Sequence, residues 1–369
     1  MTINDIAELN IDEPDRSVMS EIKSRWDSIA KPLDGLGMLE EIHARIGAME
    51  RTAEPFTDPA VVVTFCGDHG ITAAGVSQTD SSVTRAVAEL LGRRESSLGY
   101  MAAVAGCDTE AVDVGIIGAE RIPGVLDRKI REGTRDFRYE PAMTDEETLR
   151  AVCLGMEIAE KKAKEGYRIL IPGEMGIGNT TAATAMLAAF TGLGVEMITG
   201  TGAGLDPEGV KRKKAAISVG LKRRMEERDP GLCGKVKQGP EAALDIISNF
   251  GGYELAAMAG LCIGGALYHT PVVLDGYLSA VAGLAAERLR SGVKGYLIAS
   301  HGSREPGAEA CMKELGLTPV IFGNFRLGEG TGALTLLPML RMADAVYRNM
   351  VHFEETDIKA YKRQQEDGE

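Results

Sequence analysis

No C-x-x-C pair occurs among the six cysteines (Cys66, Cys107, Cys153, Cys233, Cys262 and Cys311). That argues against a disulfide framework and against a zinc cluster, and leaves the thiols as reduced core residues. A basic surplus is missing too: 41 Lys and Arg stand against 54 Asp and Glu, a formal charge of -13. A nucleic-acid backbone would find no broad cationic face here, so any anionic ligand must be held by local groups. The chain contains no run of roughly 18 apolar residues, and its opening, MTINDIAELNIDEPD, lacks the apolar stretch of a signal peptide. A cytosolic protein without a membrane span is the expectation. H-E-x-x-H, G-x-S-x-G and D-x-D patterns, internal repeats and low-complexity segments are also absent.

What is present is a globular composition. With 44% hydrophobic content, 369 residues suffice for a sizeable core and two or three domains. Short apolar runs without alternation read as strands covered on both faces: VVVTFC (61–66), EAVDVGI (110–116), YRILIP (167–172), PVVLD (271–275), GYLIAS (295–300) and PVIF (319–322). Between them, residues 82–105, 145–164, 180–189, 207–227, 253–267, 279–290 and 305–315 read as helices. Alternation of this kind predicts an α/β fold, a Rossmann-like, mostly parallel sheet with helices on both faces. Segments 17–49 and 331–353 read as helices with no strand between them. They are expected to pack into a small helical domain (1–55 and 338–369) beside a large catalytic domain (56–337), with the polar residues 358–369 frayed.

In an open α/β sheet the ligand lies beyond the carboxyl ends of the strands, so the loops there hold the candidates. GEMGIGNTT (173–181) keeps the glycine spacing and final Thr of a P-loop, but Asn179 stands where the lysine belongs. Two readings stay open. Either the glycines simply permit a strand-to-helix turn, or they expose backbone N–H groups at a helix start to grip a terminal phosphate that is held and not transferred. GTGAGLD (200–206) followed by KRKK (211–214) reads either as added donors and charge for the same anion or as a solvated face. Asp68 and His69 of GDHG, and His301 of ASHGSREPG, fit a structural role better than a metal or acid–base one. RLGEGTG (326–332) places Glu329 between two glycines, where a carboxylate has little cover and could accept a proton from a bound nucleophile.

Taken together, KPLDGLGMLEE (31–41), CGDHGITAAGVS (66–77), EPAMT (140–144), GEMGIGNTTAATA (173–185), GGYELAAMAG (251–260), VVLDGY (272–277), SREPG (303–307) and LGEGTGA (327–333) resemble the nicotinate-nucleotide:dimethylbenzimidazole phosphoribosyltransferase family. The resemblance spans nearly the whole chain in order. It implies transfer of phosphoribose from nicotinate mononucleotide to a benzimidazole, with inversion at the anomeric carbon, in assembly of the cobalamin nucleotide loop. It assigns the 5'-phosphate to the loop of Gly176, Ile177, Gly178, Asn179 and Thr180, assisted by Gly202, Gly204 and Ser303, with Lys213 and Leu327 as further substrate contacts. Glu329 becomes the base that takes the acceptor's proton, and Glu174 helps stabilise positive charge on the ribose. A homodimer is implied, and no metal or organic cofactor.

One departure bears on the acceptor. After GVS the family commonly continues with an aromatic, Pro and Gln, whereas here Ser77 is followed by QTDSSVT, putting Ser81 in the glutamine's place. Ser77 and Gln78 remain polar candidates, and another benzimidazole, a purine or a phenol could replace dimethylbenzimidazole. From other classes, a nucleotide-binding sensor has no use for an exposed Glu329, and an oxidoreductase would need a G-x-G-x-x-G after the first strand, which is absent.

Overall fold

Six strands build the centre of the computed structural model, which describes residues 1–118, 120–228 and 239–363. They are β1 (Ala60–Gly67), β2 (Asp108–Gly115), β3 (Val125–Asp127), β4 (Ile169–Met175), β5 (Val272–Leu274) and β6 (Leu297–Ala299). The order is β3-β2-β1-β4-β5-β6, and each pairing is parallel. Every residue of β1 is buried, as expected for a non-alternating apolar strand between two helical layers. The strand order reverses at β1–β4, which opens a crevice beyond the carboxyl ends of the central strands. The predicted α/β sheet is thus observed, with β3 added at its edge.

Several elements differ from expectation. Residues 319–322 form no strand: the amides of Val320 and Ile321 both turn to the Ser300 carbonyl, and only a His301–Ile321 bridge survives. Pro319, lacking an N–H, starts the run poorly. Segment 82–105 is two helices, Ser82–Arg93 and Ser97–Ala105, because Arg94 takes a left-handed φ of 59° and Ser96 accepts the Gly99 amide to start again. The 17–49 segment likewise splits into Arg16–Ser28 and Met38–Glu50 around the PLDGLG turn. Helix Pro240–Phe250, opened by its proline, was not anticipated. Cys233 and residues 364–369 lie outside the described residues.

Helices Arg16–Ser28, Met38–Glu50 and Leu336–Asn349 share an apolar cluster separate from the main core, formed by Ile22, Trp26, Ile29, Ala44, Ala343 and Tyr347. Trp26 packs against the rings of His43 and Tyr347 at 5.5 and 5.2 Å. Among the described residues no helix is long and apolar enough to cross a membrane.

The sheet's cover depends on one close helix pair. Helix Asp145–Lys164 opens with a capping box, Thr144 Oγ1 accepting the Glu147 amide and Glu147 accepting that of Thr144, and crosses helix Tyr253–Leu267, buried from Tyr253 to Ala266 and apolar apart from Tyr253 and Glu254 at its start. Their backbones meet at glycines: a Cβ on Gly155 would lie 1.9 Å from the Ala257 carbonyl oxygen, and one on Gly260 1.9 Å from that of Val152. Helix propensity favours Ala over Gly by about 1 kcal/mol, yet the overlap has nowhere to go in a close-packed interior. Gly260→Ala is therefore expected to destabilise the protein by at least roughly 2 kcal/mol in denaturant unfolding; unchanged or increased stability would mean that the helices are free to move apart.

Candidate active site

A cleft of about 280 Å³ opens beyond the carboxyl ends of β4, β5 and β6, beside the β1–β4 reversal. Residues 174–177, 179 and 180 line it from the end of β4 and the loop after it, residues 275–279 from that after β5, His301, Ser303 and Glu305 from that after β6, and residues 325–329 from the last loop. Four of its walls are acidic: Glu174, Asp275, Glu305 and Glu329.

Glu329 owes its position to backbone chemistry. Gly328, Glu329 and Gly330 run consecutively through positive φ, at 89°, 63° and 95°. For a non-glycine residue this costs about 1–2 kcal/mol, so neighbouring contacts must enforce it. The Thr64 hydroxyl donates to the Glu329 carbonyl at 3.2 Å, and the buried Asp275 carboxylate accepts the amides of Gly330 (3.2 Å) and Ala333 (3.0 Å). The loop presses on the strands so closely that a Cβ on Gly173 would sit 2.4 Å from the Glu329 carbonyl oxygen. On the side chain, Oε2 is buried without a hydrogen-bond partner. Burial, and after it the charge of Asp275, pushes the Glu329 carboxyl up to about 7, near the poise a general base needs at neutral pH. Asp275 is itself raised by burial to about 6, with the amides it accepts pulling the other way.

Glu174 ends β4 and is buried opposite that loop. Burial first, then the charges of Asp275, Glu254 and Glu329, raise its pKa well above the usual carboxylate range, while the Asn179 side-chain amide donates to Oε2 and opposes the rise. The residue replacing the P-loop lysine thus tethers a carboxyl. Next along, helix Asn179–Thr191 starts at Gly178, whose φ is 99°, and no side chain caps its first turn. Its Thr180 hydroxyl accepts from Lys213 Nζ at 2.9 Å. Lys213 is the one member of KRKK that points inward, with no exposed surface, and burial lowers its pKa to about 8 against the opposing pull of Glu305.

The expected site residues fall into three groups. Glu174, Gly176, Ile177, Asn179, Thr180, Gly202, Ser303, Leu327 and Glu329 line the main cleft. Ser77, Gln78 and Gly178 line a smaller adjoining recess that shares residues 176, 177, 179 and 180 with it. Lys213 lies behind Thr180, whereas Gly204 and Ser81 line neither space: Gly204 gives its carbonyl to the Gln78 amide, and Ser81 turns toward the buried Asp68 carboxyl. The Gly202 amide donates to Glu305 Oε1 at 2.9 Å.

Sequence reasoning passed over Asp275, Glu305 and Glu254. The first two sit in loops it had singled out, VVLDGY and SREPG, but no spacing rule reveals a partner 55 residues away. Glu254 pairs with His69, Nε2 to Oε1 at 2.7 Å, both buried beneath the loop after β4. His301 lines the cleft, and burial lowers its pKa to about 4, so its ring is neutral. Among the described residues no group of three or more His, Cys, Asp or Glu is arranged to hold a metal ion.

A buried lysine with one neutral partner is a liability without an anion. Because its folded pKa is depressed, stability is diminished below about 8 and recovers as pH rises from there toward the unfolded value of 10.5. Lys213→Met is therefore expected to raise unliganded stability at pH 7 by roughly 1–3 kcal/mol while removing the stabilisation given by added phosphate. Thermal melts with and without inorganic phosphate test both; a destabilised variant that still responds to phosphate would contradict this placement of the charge.

A phosphoribosyltransferase family profile matches residues 11–358. A relative from Halalkalibacterium halodurans, named nicotinate-nucleotide–dimethylbenzimidazole phosphoribosyltransferase, is 36% identical over 95% of this chain and 94% of its own. One of the same name from Thermus thermophilus is 37% identical over 93% of this chain and 99% of its own. The crystal structure of CobT from Thermus thermophilus superposes with a TM-score of 0.84 at 38% identity, covering 92% of this chain and 98% of that one. With its fold and nearly its full length shared with these enzymes, the chain belongs to this phosphoribosyltransferase family.

Proposed function

We propose that the protein transfers phosphoribose from nicotinate mononucleotide to a benzimidazole-type base, giving α-ribazole 5'-phosphate and nicotinate in cobalamin biosynthesis. The observation that carries this reading is Glu329: a carboxylate with an unpartnered buried oxygen and a pKa near 7, in the same cleft as a glycine-rich helix start backed by Lys213. The names of the relatives supply the two substrates.

In this reading the 5'-phosphate sits at Gly176, Ile177, Gly178, Asn179 and Thr180, with Lys213 as counter-charge and Gly204 and Ser303 at the margins. Gly202 joins them once its amide leaves Glu305. One ring nitrogen of the base attacks the anomeric carbon as the bond to nicotinate breaks. The bonding pair returns to the pyridinium nitrogen, neutralising it, so the leaving group needs no acid. The other ring nitrogen yields its proton to Glu329, and the product leaves neutral at the ring. A glycosidase needs two carboxylates because its leaving oxygen must be protonated; one base suffices here. Glu174 faces the ribose and stabilises its developing positive charge. Leu327 and Val87, which line the main cleft, border the acceptor, while Ser77 and Gln78 line the adjoining recess and Ser81 is turned away toward Asp68.

Three further expectations travel with this reading: a homodimer, a cytosolic setting, and a small helical domain (1–55 and 338–369) distinct from the catalytic one (56–337). The separate cluster around Trp26 supports the last.

Nicotinate release from nicotinate mononucleotide, followed with dimethylbenzimidazole, other benzimidazoles, adenine and phenols, tests the proposal. Turnover with a benzimidazole is expected, and Glu329→Gln should lose about 10²- to 10⁴-fold in kcat. Nucleotide binding with no release for any acceptor would instead make the protein a nucleotide sensor.

A further inference from the structure

The cleft poses an electrostatic problem. It is lined by Glu174, Asp275, Glu305 and Glu329, in a chain of formal charge -13, yet the donor proposed above carries two anionic groups, a phosphate and a ring carboxylate. Lys213, behind Thr180, answers the phosphate. The ring carboxylate lies at the other end of the nucleotide and needs a cation of its own, because a carboxylate facing like charges without a partner is strongly disfavoured.

One cation lines the cleft, Arg326. Many guanidinium groups elsewhere are tied down among the described residues, as Arg135 is to Glu147 and Arg341 to Asp58; Arg94, Arg128, Arg150 and Arg304 are not, but none of these lines the cleft. Among the described residues no hydrogen bond or ion pair holds the Arg326 side chain. Its backbone, by contrast, is well placed. The preceding Phe325 also lines the cleft and sets its ring edge-on to His301 at 5.3 Å, and two residues further on Gly328 begins the left-handed turn that positions Glu329. An Arg so anchored, with its five donors unspent, suits a planar carboxylate in bidentate geometry.

Resting on the donor reading above, we propose that Arg326 binds the carboxylate of the nicotinate ring and so makes the enzyme select nicotinate over nicotinamide nucleotides. The amide, being neutral, forgoes the charge-assisted pair with Arg326 and gains only weaker hydrogen bonds there. The same loop thus carries the donor's anchor and, three residues on, the base that acts on the acceptor.

Steady-state kinetics with nicotinate mononucleotide and nicotinamide mononucleotide, acceptor saturating, test this on wild type, Arg326→Ala and Arg326→Lys; an amide nucleotide that is not turned over is read as a competitive inhibitor. Arg326→Ala should raise KM for the nicotinate donor about 10- to 100-fold and change the constant for the amide donor less than about threefold, so that discrimination collapses. Arg326→Lys, keeping charge but not the fork, should fall between. Equal shifts for both donors, or none, in an otherwise active enzyme would overturn the assignment of Arg326 while leaving the transfer reaction standing. Failure of the wild type to release nicotinate would remove the donor reading itself, and this assignment with it.

Discussion

The site depends on one buried carboxylate accepting backbone amides. Asp275 at the end of β5 holds the Gly330 and Ala333 amides, and through them keeps Glu329 in a backbone conformation that a side-chain-bearing residue adopts only under constraint. Without that anchor the loop would keep only the Thr64 hydroxyl on the Glu329 carbonyl, the Thr331 amide and hydroxyl on that of Gly328, and its packing on Gly173. The same carboxylate contributes to the field that lifts the pKa values of Glu329 and Glu174. Structure and proton affinity are set together: the group that aims the base also tunes it.

Burial does most of the remaining electrostatic work. Glu174, Glu329 and Lys213 are all displaced toward their neutral forms, as low-dielectric surroundings favour the uncharged state. An unliganded cleft of this kind stores unfavourable charge that a phosphate at one end and a cationic sugar at the other would relieve. Glu305 illustrates the point, since its carboxylate occupies the Gly202 amide and leaves a second buried oxygen without a partner.

Much of the architecture was legible in the residues, and the exceptions have physical causes. Helices 145–164 and 253–267 were read to the residue, because a capping box starts the first and an unbroken apolar face defines the second. β1, β2, β4, β5 and β6 were found from apolar runs, whereas β3 was not, since two half-buried residues and an exposed Asp127 carry no periodicity. The helix break at Arg94 escaped notice because left-handed geometry there falls on Arg and not Gly. At the site, glycine-rich loops marked GEMGIGNTT and RLGEGTG, and the inward lysine of KRKK was identified from the family resemblance. Asp275, Glu305 and the His69–Glu254 pair required three-dimensional proximity across long sequence separations, which local spacing does not encode.

The central claim is that Glu329 is the base and that burial and Asp275 set its pKa. The pH dependence of kcat/KM, measured for wild type and Asp275→Asn, tests it most directly. A base must be ionised to act, so the wild-type rate should rise with pH through an apparent pKa near 7. Loss of the neighbouring negative charge should move that rise to lower pH in Asp275→Asn, whatever happens to the maximal rate. A rise that stays near 7 in the variant, or a wild-type profile flat across this range, would contradict the account.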